Sequence, residues 1–458
     1  MDWLELLCRK RVSHTGEVWE TPRELGRSPF ERDWDRILFS AAFRRMHDKT
    51  QVFPLPDDDV VHSRLTHSLE VASVGRSLGQ LVGRTVCERH AIDHERGFDF
   101  HDVGDVVAAA CLAHDIGNPP FGHAGEDAIA MYFRSAAGAS AVQSLSERER
   151  ADFESFEGNA QGFRLLTRLQ LEVDGGLQLT AAALAAFSKY PREAGVDLRQ
   201  EGRTSRRKHG LFQSDTAVFE VVARETGLHP TRSASGGRAW CRHPLAFLVE
   251  AADDICFSVL DIEDGVRLRV VDANEAETLL LPIARKAKAF STERLQRFME
   301  PKLRISYLRA IAISAMIEEC VGAFLDVEPS ILNGSFDTSL ADSIASRAEL
   351  KALRELARSR CYNAAEVIEI ELAGYEALGG LLEHFVPAVL SAPEDTRRLP
   401  ERDQKSLRLL RGRSVETGEP ALYTRLLRVT DFVSGMTDRH ALATYRRLKG
   451  IALPGRAG

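Results

Sequence analysis

The feature that most constrains the fold is an apolar run, residues 106–113, that ends at the adjacent pair His114 and Asp115. A run of this composition predicts a helix that is buried in the protein core. An imidazole and a carboxylate at the end of a buried helix cost free energy unless a charged or polar partner satisfies them. A metal ion is such a partner. The glycine- and proline-containing segment 117–123 then predicts an abrupt end of the helix.

Helical periodicity recurs along the chain, and no long segment shows the alternation that is typical of a strand. The sequence therefore predicts an all-α protein with little or no sheet. We expect three parts: an N-terminal arm (1–30), a helical core (31–265) and a C-terminal helical region (266–458) that packs on the core and completes the site. The charged or small residues of 134–151 and 392–416 predict surface connections, and 423–447 predicts one final helix.

The composition excludes several classes of protein. With 44% hydrophobic and 28% charged residues, the chain is not a largely disordered or fibrous protein. A net charge of −7 gives no global attraction to nucleic acid or to an anionic membrane, so a polyanion would need a local basic site. Seven scattered cysteines without a CxxC pair fit reduced thiols. Because neither a signal peptide nor a membrane-spanning run is evident, we expect a cytoplasmic protein without a membrane partner.

Two further predicted helices carry polar residues on an apolar background. Arg64 and His67 share one face near a helix N-terminus, where backbone N–H groups favour anions. Asp253, Phe257 and Asp261 form an i, i+4, i+8 row on a helix that is apolar nearly all round. Two carboxylates that flank an aromatic residue on a buried face indicate a functional site.

Together, His67, the pair His114 and Asp115, and Asp253 offer two imidazoles and two carboxylates. Mixed nitrogen and oxygen ligands suit Mn, Fe, Ni or Zn and, less well, Mg, so the identity of the ion stays open. The pattern indicates a hydrolytic metal site.

The pair His123 and Glu126 is spaced i, i+3 at the start of the next predicted helix. A carboxylate at this spacing can orient the imidazole and raise its pKa, as a general acid near neutral pH requires. A helix-capping acid without chemistry is the alternative.

Two other features could bind phosphate. Lys189 and Tyr190 end a predicted helix, where a lysine can also be a plain partner of the helix dipole. The basic segment 192–208 is either a solvated loop or a contact for polyphosphate or nucleic acid.

The order H…HD…D on helices resembles the HD superfamily of metal-dependent phosphohydrolases. Within it, the chain is similar to the deoxynucleoside triphosphate triphosphohydrolases, the dGTPase family, in eight segments: 42–45, 49–52, 64–68, 114–123, 156–161, 189–191, 212–215 and 431–438. The similarity is dense over residues 28–265 and thinner in the last helix. It implies an HD-domain helical core with additional peripheral helices.

The resemblance also implies roles for individual residues. The implied metal ligands are His67, His114, Asp115 and Asp253, with Mn or Mg as the expected ion and Fe, Ni, Co or Zn as alternatives. His123 matches the catalytic histidine and is held by Glu126. The positions that contact the triphosphate in the family are here Arg64, Asn159, Lys189, Tyr190 and Lys208.

Gln51 and Asp261 match residues that approach the deoxyribose, where the family rejects ribonucleotides by crowding the 2′ position. One position departs from the family pattern, since Phe257 stands where the family commonly has tyrosine. The missing hydroxyl removes one hydrogen bond to sugar or phosphate, whereas the aromatic face can still pack against the sugar.

The implied activity is hydrolysis of dGTP or several deoxynucleoside triphosphates to a deoxynucleoside and inorganic triphosphate. One alternative keeps the HD site but changes the substrate to a nucleoside monophosphate, a cyclic dinucleotide or guanosine tetraphosphate. A second alternative is a module that senses nucleotides or binds single-stranded nucleic acid. The resemblance further implies a homo-oligomer, hexamer or tetramer, with a dNTP as allosteric activator and weak binding of single-stranded nucleic acid as additional hypotheses.

Overall fold

The structure, a computed structural model, describes residues 1–20, 26–53, 60–93, 97–170, 175–196, 203–232, 236–391, 399–410 and 421–452. Over these residues it contains twenty α-helices and two antiparallel sheets of two short strands each. The prediction of an all-α protein with little sheet is therefore confirmed. In the same ranges no helix combines the length and the apolar character that crossing a membrane requires.

The described part of the N-terminal arm packs on this chain's own core. It consists of helix α1 (Trp3–Leu6) and a hairpin of strands β1 (Arg11–Val12) and β2 (Val18–Trp19). Trp3 is buried, and its indole nitrogen donates to Glu328 Oε1 at 2.8 Å. The arm is thereby fixed to a helix from the C-terminal half of the chain.

The next helices bring the predicted N-terminal site residues together. They are α2 (Pro29–Leu38), α3 (Ala41–Arg45), α4 (Arg64–Arg89), α5 (Phe100–Ala113) and α6 (Gly122–Arg134). A Cβ at Gly79 of α4 would lie 2.8 Å from the Cα of Gly104 in α5, so glycine at this crossing allows the two helices to pack closely. This contact fixes the helix that carries His67 against the helix that ends at His114.

The middle of the chain is more helical than the sequence predicted. It contains α7 (Ala136–Val142), α8 (Glu147–Glu154), α9 (Gly158–Arg164), which continues into a π-helical turn (Leu165–Leu169), α10 (Ala181–Phe187), α11 (Thr216–Glu225), strands β3 (Pro230–Arg232) and β4 (Arg238–Trp240), and α12 (Pro244–Arg267). The prediction of a surface connection over 134–151 was wrong. Ser135 and Ser146 each cap a short helix there, and the buried Phe153 anchors the second one.

The C-terminal region is helical throughout its described residues. Its helices are α13 (Ala273–Ala284), α14 (Thr292–Gln296), α15 (Pro301–Leu332), α16 (Arg347–Arg360), α17 (Ala365–Leu390), α18 (Glu401–Leu410), α19 (Leu422–Ser434) and α20 (Asp438–Leu448). The predicted final helix is thus two helices, because Thr437 caps a new one. Within the predicted connection 392–416, residues 401–410 form α18 and residues 392–398 and 411–416 lie outside the described ranges.

Two large hydrophobic clusters lie in the described part of the chain, beside a small contact of Val196 and Ala239. The larger includes apolar residues of α4, α5, α10, α12, α13, α15 and α16. The smaller joins α6, α8, α17 and α19. A cavity is lined by residues from both clusters, with Phe187 from the larger and Phe121 from the smaller.

Candidate active site

Three side chains from three parts of the helical core converge on one point. They are His67 of α4, His114 directly after α5, and Asp253 of α12, and their ligand atoms lie within 4.8 Å of one another. The Nε2 atoms of His67 and His114 lie 3.3 and 3.5 Å from Oδ1 of Asp253. His114 Nδ1 lies 2.7 Å from the carbonyl oxygen of Cys111, which fixes the ring with Nε2 towards the cluster. Two imidazole nitrogens and a carboxylate oxygen at this spacing fit a divalent metal ion.

Asp115, the fourth predicted ligand, lies beside this cluster. Its Oδ2 contacts Nη1 of Arg64 at 2.5 Å, and its Oδ1 accepts from Asn118 Nδ2 at 2.7 Å. Oδ1 is 3.6 Å from His114 Nε2. Burial disfavours ionisation of Asp115, but the Arg64 guanidinium and the neighbouring imidazoles hold its pKa well below the usual range. The carboxylate is therefore ionised and in contact with both its cationic and its amide neighbour.

The predicted His123–Glu126 pair is formed at the start of α6. His123 Nδ1 lies 2.6 Å from Glu126 Oε2, and the other carboxylate oxygen accepts from Gly158 N at 2.5 Å. The hydrogen bond to Glu126 and its negative charge raise the pKa of His123. Burial opposes ionisation of Glu126, yet its bond to His123 lowers the carboxyl pKa. Because Nδ1 is engaged, Nε2 is the nitrogen that a ligand in the cavity can reach.

Gly122 explains how Arg64 reaches this helix start. The residue has a φ of +59°, and a Cβ there would lie 2.6 Å from Arg64 Nη2. Phe121 before it also adopts a left-handed conformation, with a φ of 64°. Any side chain at position 122 would therefore strain the backbone and displace the guanidinium.

Two lysines in the same cavity are each paired with an acid. Lys189 Nζ lies 3.3 Å from Glu250 Oε1, and Lys208 Nζ lies 2.9 Å from Glu157 Oε2. Burial opposes the charge on Lys189, but Glu250 raises its pKa above the usual value. Burial also opposes the charge on Lys208, but Glu126 and Glu157 raise its pKa. Both ammonium groups are therefore charged, and an anionic ligand would compete with Glu250 and Glu157 for them.

One cavity of about 470 Å³ connects these groups. The predicted site residues that line it are Gln51, Arg64, His114, Asp115, His123, Asn159, Lys189, Tyr190, Lys208, Asp253, Phe257 and Asp261. His67 and Glu126 are buried in the wall behind them. The structure thus brings all the predicted residues to a single site.

The sequence interpretation missed several lining residues. Glu250 lies one helical turn before Asp253 on α12, a spacing that could have indicated it. Tyr362, Val367, Ile370 and Glu371 come from the C-terminal region and carry no local signal.

The described part of the basic segment is a folded loop. The guanidinium of Arg192 donates to the carbonyl oxygens of Lys208, Val196 and Arg206 at 2.6, 2.7 and 3.1 Å. Residues 197–202 lie outside the described ranges. Arg192 thus supports the loop that carries Lys208.

The comparisons with known proteins agree with this geometry. The HD domain family matches residues 64–167, and the phosphohydrolase-associated domain matches residues 341–447. The first range contains His67, the His114–Asp115 pair and His123. The second contains the C-terminal residues that line the cavity.

Similar proteins extend over almost the entire chain. A deoxyguanosinetriphosphate triphosphohydrolase-like protein of Synechocystis is 42% identical over 465 residues, which are 99% of this chain and 100% of the relative. A protein of the same name from Pseudomonas aeruginosa is 38% identical, with 99% and 100% coverage. The deoxyguanosinetriphosphate triphosphohydrolase of Klebsiella pneumoniae is 30% identical, with 94% and 95% coverage. The chain therefore belongs to the dGTPase-like family of HD-domain hydrolases, which confirms the family expected from its motifs.

Proposed function

We propose that this chain hydrolyses deoxynucleoside triphosphates at the α-phosphorus and releases a deoxynucleoside and inorganic triphosphate. The observation that carries the proposal is a single cavity at which residues able to hold a metal ion, a histidine–carboxylate pair and three cationic side chains come together. The substrate class is supported by the names of the relatives, deoxyguanosinetriphosphate triphosphohydrolase and deoxyguanosinetriphosphate triphosphohydrolase-like protein.

His67, His114 and Asp253 would hold a divalent cation, and we propose Asp115 as the fourth ligand through the oxygen that faces His114. Mn or Mg is the expected ion, with Fe, Ni, Co or Zn as alternatives. When bound, such an ion polarises a phosphoryl oxygen and lowers the pKa of a coordinated water.

The cationic residues bind and orient the triphosphate. Lys189 and Lys208 would exchange their carboxylate partners for phosphate oxygens, and Arg64, which contacts Asp115, lines the same cavity. Fixed positive charges stabilise the negative charge that develops during phosphoryl transfer. Asn159 and Tyr190, which also line the cavity, supply further donors.

His123 is proposed as the general acid. In its protonated form it would donate the Nε2 proton to the departing 5′-oxygen, while Glu126 holds the ring through Nδ1. Glu126 is buried behind the ring and acts through it.

The sugar would lie between Gln51, Phe257 and Asp261, all of which line the cavity. The Phe257 ring offers an apolar surface for the deoxyribose, and crowding at the 2′ position would reject ribonucleotides. The C-terminal region contributes to the same cavity through Tyr362 and Glu371. This supports the proposed division into an arm (1–30), an HD core (31–265) and a C-terminal region (266–458) that completes the site.

A substrate panel tests the proposal. The four dNTPs and four NTPs are incubated with the protein and Mn or Mg, and inorganic triphosphate is quantified. We expect triphosphate and deoxynucleoside from one or more dNTPs, none from NTPs, and a loss of roughly 10²–10⁴-fold in rate for His123→Ala. Release of monophosphate or pyrophosphate, or turnover of cyclic dinucleotides or guanosine tetraphosphate instead, would favour the alternative HD substrates. Salt-sensitive oligonucleotide binding without any turnover would favour the binding module.

Three statements about partners stay predictions, and the family resemblance implies the first of them. They are the homo-oligomer, hexamer or tetramer, activation by a second dNTP, and weak binding of single-stranded nucleic acid. Adding other dNTPs to the substrate panel tests activation, and sedimentation of the same samples gives the oligomeric state.

A further inference from the structure

The carboxylate of Glu250 is shared by two cations. Its Oε1 lies 3.3 Å from Lys189 Nζ, and its Oε2 accepts from Arg242 Nη1 at 2.7 Å. The side chain of Glu250 is 4% exposed and that of Arg242 is fully buried. Glu250 and Lys189 line the cavity, whereas Arg242 does not. Each oxygen of one buried carboxylate therefore has its own cation, and only Lys189 of the two lines the cavity.

Arg242 is held in place by groups outside the cavity. The residue lies between strand β4 and helix α12. Its Nε lies 2.9 Å from Oδ1 of Asp337, and its Nη2 donates to the carbonyl oxygen of Thr338 at 3.0 Å. The guanidinium carbon lies 3.8 Å from the centre of the Phe247 ring. Because none of these three partners lines the cavity, a ligand there can take Lys189 without displacing Arg242.

A phosphate ligand changes the balance of charge at Glu250. When Lys189 binds a phosphate oxygen, Oε1 of the carboxylate loses its cation. Loss of one partner strongly destabilises a buried ion pair, because the remaining charge is neither paired nor hydrated. Burial opposes ionisation of Glu250, yet Lys189 and Arg242 hold its pKa below the usual value. With Arg242 still on Oε2, the carboxylate keeps one cation, and the cost of releasing Lys189 is smaller.

We propose that Arg242 is a positioning residue for triphosphate binding, because it keeps Glu250 paired while Lys189 moves to a phosphate oxygen. The inference rests on the proposed function, since that function assigns Lys189 to the triphosphate. Arg242 lies outside the cavity and acts through Glu250. Its effect should therefore be confined to ligands that carry phosphate.

Titration calorimetry with inorganic triphosphate in excess Mg measures this effect without turnover. For Arg242→Met we expect Kd to rise roughly 10-fold or more, because Lys189 is then the cation that remains on a buried carboxylate and leaves it less readily. The deoxynucleoside product carries no phosphate and should bind with an unchanged Kd. In steady-state assays, KM for a dNTP should rise with inorganic triphosphate Kd, while kcat changes little.

Glu250→Gln separates the charge argument from a general loss of structure. A glutamine leaves no buried charge to compensate, so Lys189 can bind phosphate whether or not Arg242 is present. We expect Glu250→Gln to bind inorganic triphosphate at least as tightly as the unaltered protein. The Kd of Arg242→Met/Glu250→Gln should lie within roughly threefold of that of Glu250→Gln. A merely structural role of Arg242 would not give this recovery.

Arg11→Met is the matched control for the removal of a buried arginine. Arg11 Nη1 lies 2.7 Å from Oδ1 of Asp33, and the two side chains are 1% and 0% exposed. Neither residue lines the cavity. Circular dichroism and thermal unfolding show which variants fold, and Arg11→Met should lose stability while its folded fraction keeps the Kd for inorganic triphosphate.

The outcomes separate this inference from the proposed function. An unchanged Kd for inorganic triphosphate in folded Arg242→Met, or an equal rise in Kd for the deoxynucleoside, would overturn the role of Arg242. Failure of the double variant to recover would also overturn it. Weaker binding of inorganic triphosphate by Glu250→Gln than by the unaltered protein would do the same, and this comparison decides the matter if Arg242→Met does not fold. If the unaltered protein releases no triphosphate from any dNTP, the proposed function itself fails, whatever the variants bind.

Discussion

The carboxylate of Asp438 accepts a hydrogen bond from the backbone nitrogen of Phe121 at 3.0 Å. Its other oxygen accepts from the backbone nitrogen and the hydroxyl of Thr50, at 2.9 and 2.6 Å. Asp438 is 2% exposed and begins α20. One buried side chain from the C-terminal region therefore holds both the loop of Gln51 and the turn that precedes His123.

We expect Asp438→Ala to impair both the activity and the stability of the protein. Removing the carboxylate leaves the buried backbone donor of Phe121 and the half-buried one of Thr50 without an acceptor, at a cost of about 1–3 kcal/mol for a fully buried donor. The turn at Phe121 would also lose the contact that fixes His123, so kcat should fall by at least about 10-fold. Triphosphate release and chemical denaturation measure the two effects. Arg439→Ala is the control, because this neighbour is 71% exposed in its side chain and should change neither quantity.

The His123–Glu126 contact predicts how the reaction depends on pH. The hydrogen bond and charge of Glu126 raise the pKa of His123, so the protonated acid persists to higher pH than in a free histidine. The alkaline limb of the kcat profile should therefore follow deprotonation of His123. In Glu126→Gln the negative charge is lost, and the limb should move to lower pH together with a lower kcat at neutral pH.

Replacing Lys208 should shift the same pH profile of kcat in the opposite direction. Its positive charge, 3.6 Å from Glu126, lowers the pKa of His123. Lys208→Met should consequently move the alkaline limb to higher pH, although KM will rise if the lysine binds phosphate. A limb that stays in place in both variants would show that another group is the acid.

Much of the site could be predicted because its residues form patterns within short segments of the sequence. The apolar run before His114 and the i, i+4, i+8 row on α12 each lie within one helix, and burial of those helices directs their polar residues to the interior. The order of the histidines and carboxylates along the chain indicated the family. The helix pattern also gave the all-α fold, since periodicity and caps are properties of short segments.

The remaining features depend on contacts between distant segments. Tyr362 meets Asp261 from 101 residues further along the chain, and no periodicity marks it. The contact between Arg64 and Asp115 depends on the packing of α4 against α5, so the sequence of either helix alone does not predict it. Helices α7 and α8 were missed because serine caps and a few buried residues specify them, without a long apolar stripe.

The three-residue cluster predicts a measurable metal affinity. We expect titration calorimetry with Mn to show binding to the unaltered protein, and a loss of roughly 10–100-fold or more in affinity for His67→Ala or His114→Ala. His101→Ala is a matched control, since this histidine lies in the first turn of α5, away from the cavity. Treatment with a chelator should abolish triphosphate release, and added Mn should restore it. Equal affinity in all three variants would contradict the assignment of the ligands.

The ion pair between Arg164 and Asp431 predicts how tightly the last helices are bound to the core. Arg164 Nε and Nη2 donate to the two oxygens of Asp431 at 2.9 and 2.8 Å, and Nη1 lies 3.5 Å from Asp215 Oδ2. The Arg164 and Asp431 side chains are only 5% and 11% exposed. Loss of one partner leaves a buried charge that is incompletely paired.

We therefore expect Asp431→Ala to lower the free energy of unfolding by about 3–5 kcal/mol, with Asp215 keeping the loss near the lower end. Denaturant titration followed by circular dichroism measures it. The exposed pair Arg358–Glu355, with side chains 68% and 67% accessible, is the comparison, and Glu355→Ala should change stability by about 0–1 kcal/mol. Equal losses of stability in Asp431→Ala and Glu355→Ala would show that the Arg164–Asp431 pair does not hold α19 on α9. Neither Arg164 nor Asp431 lines the cavity. If Asp431→Ala lowers the free energy of unfolding more than Glu355→Ala does, and triphosphate release falls only in proportion to the unfolded fraction, the pair acts through folding.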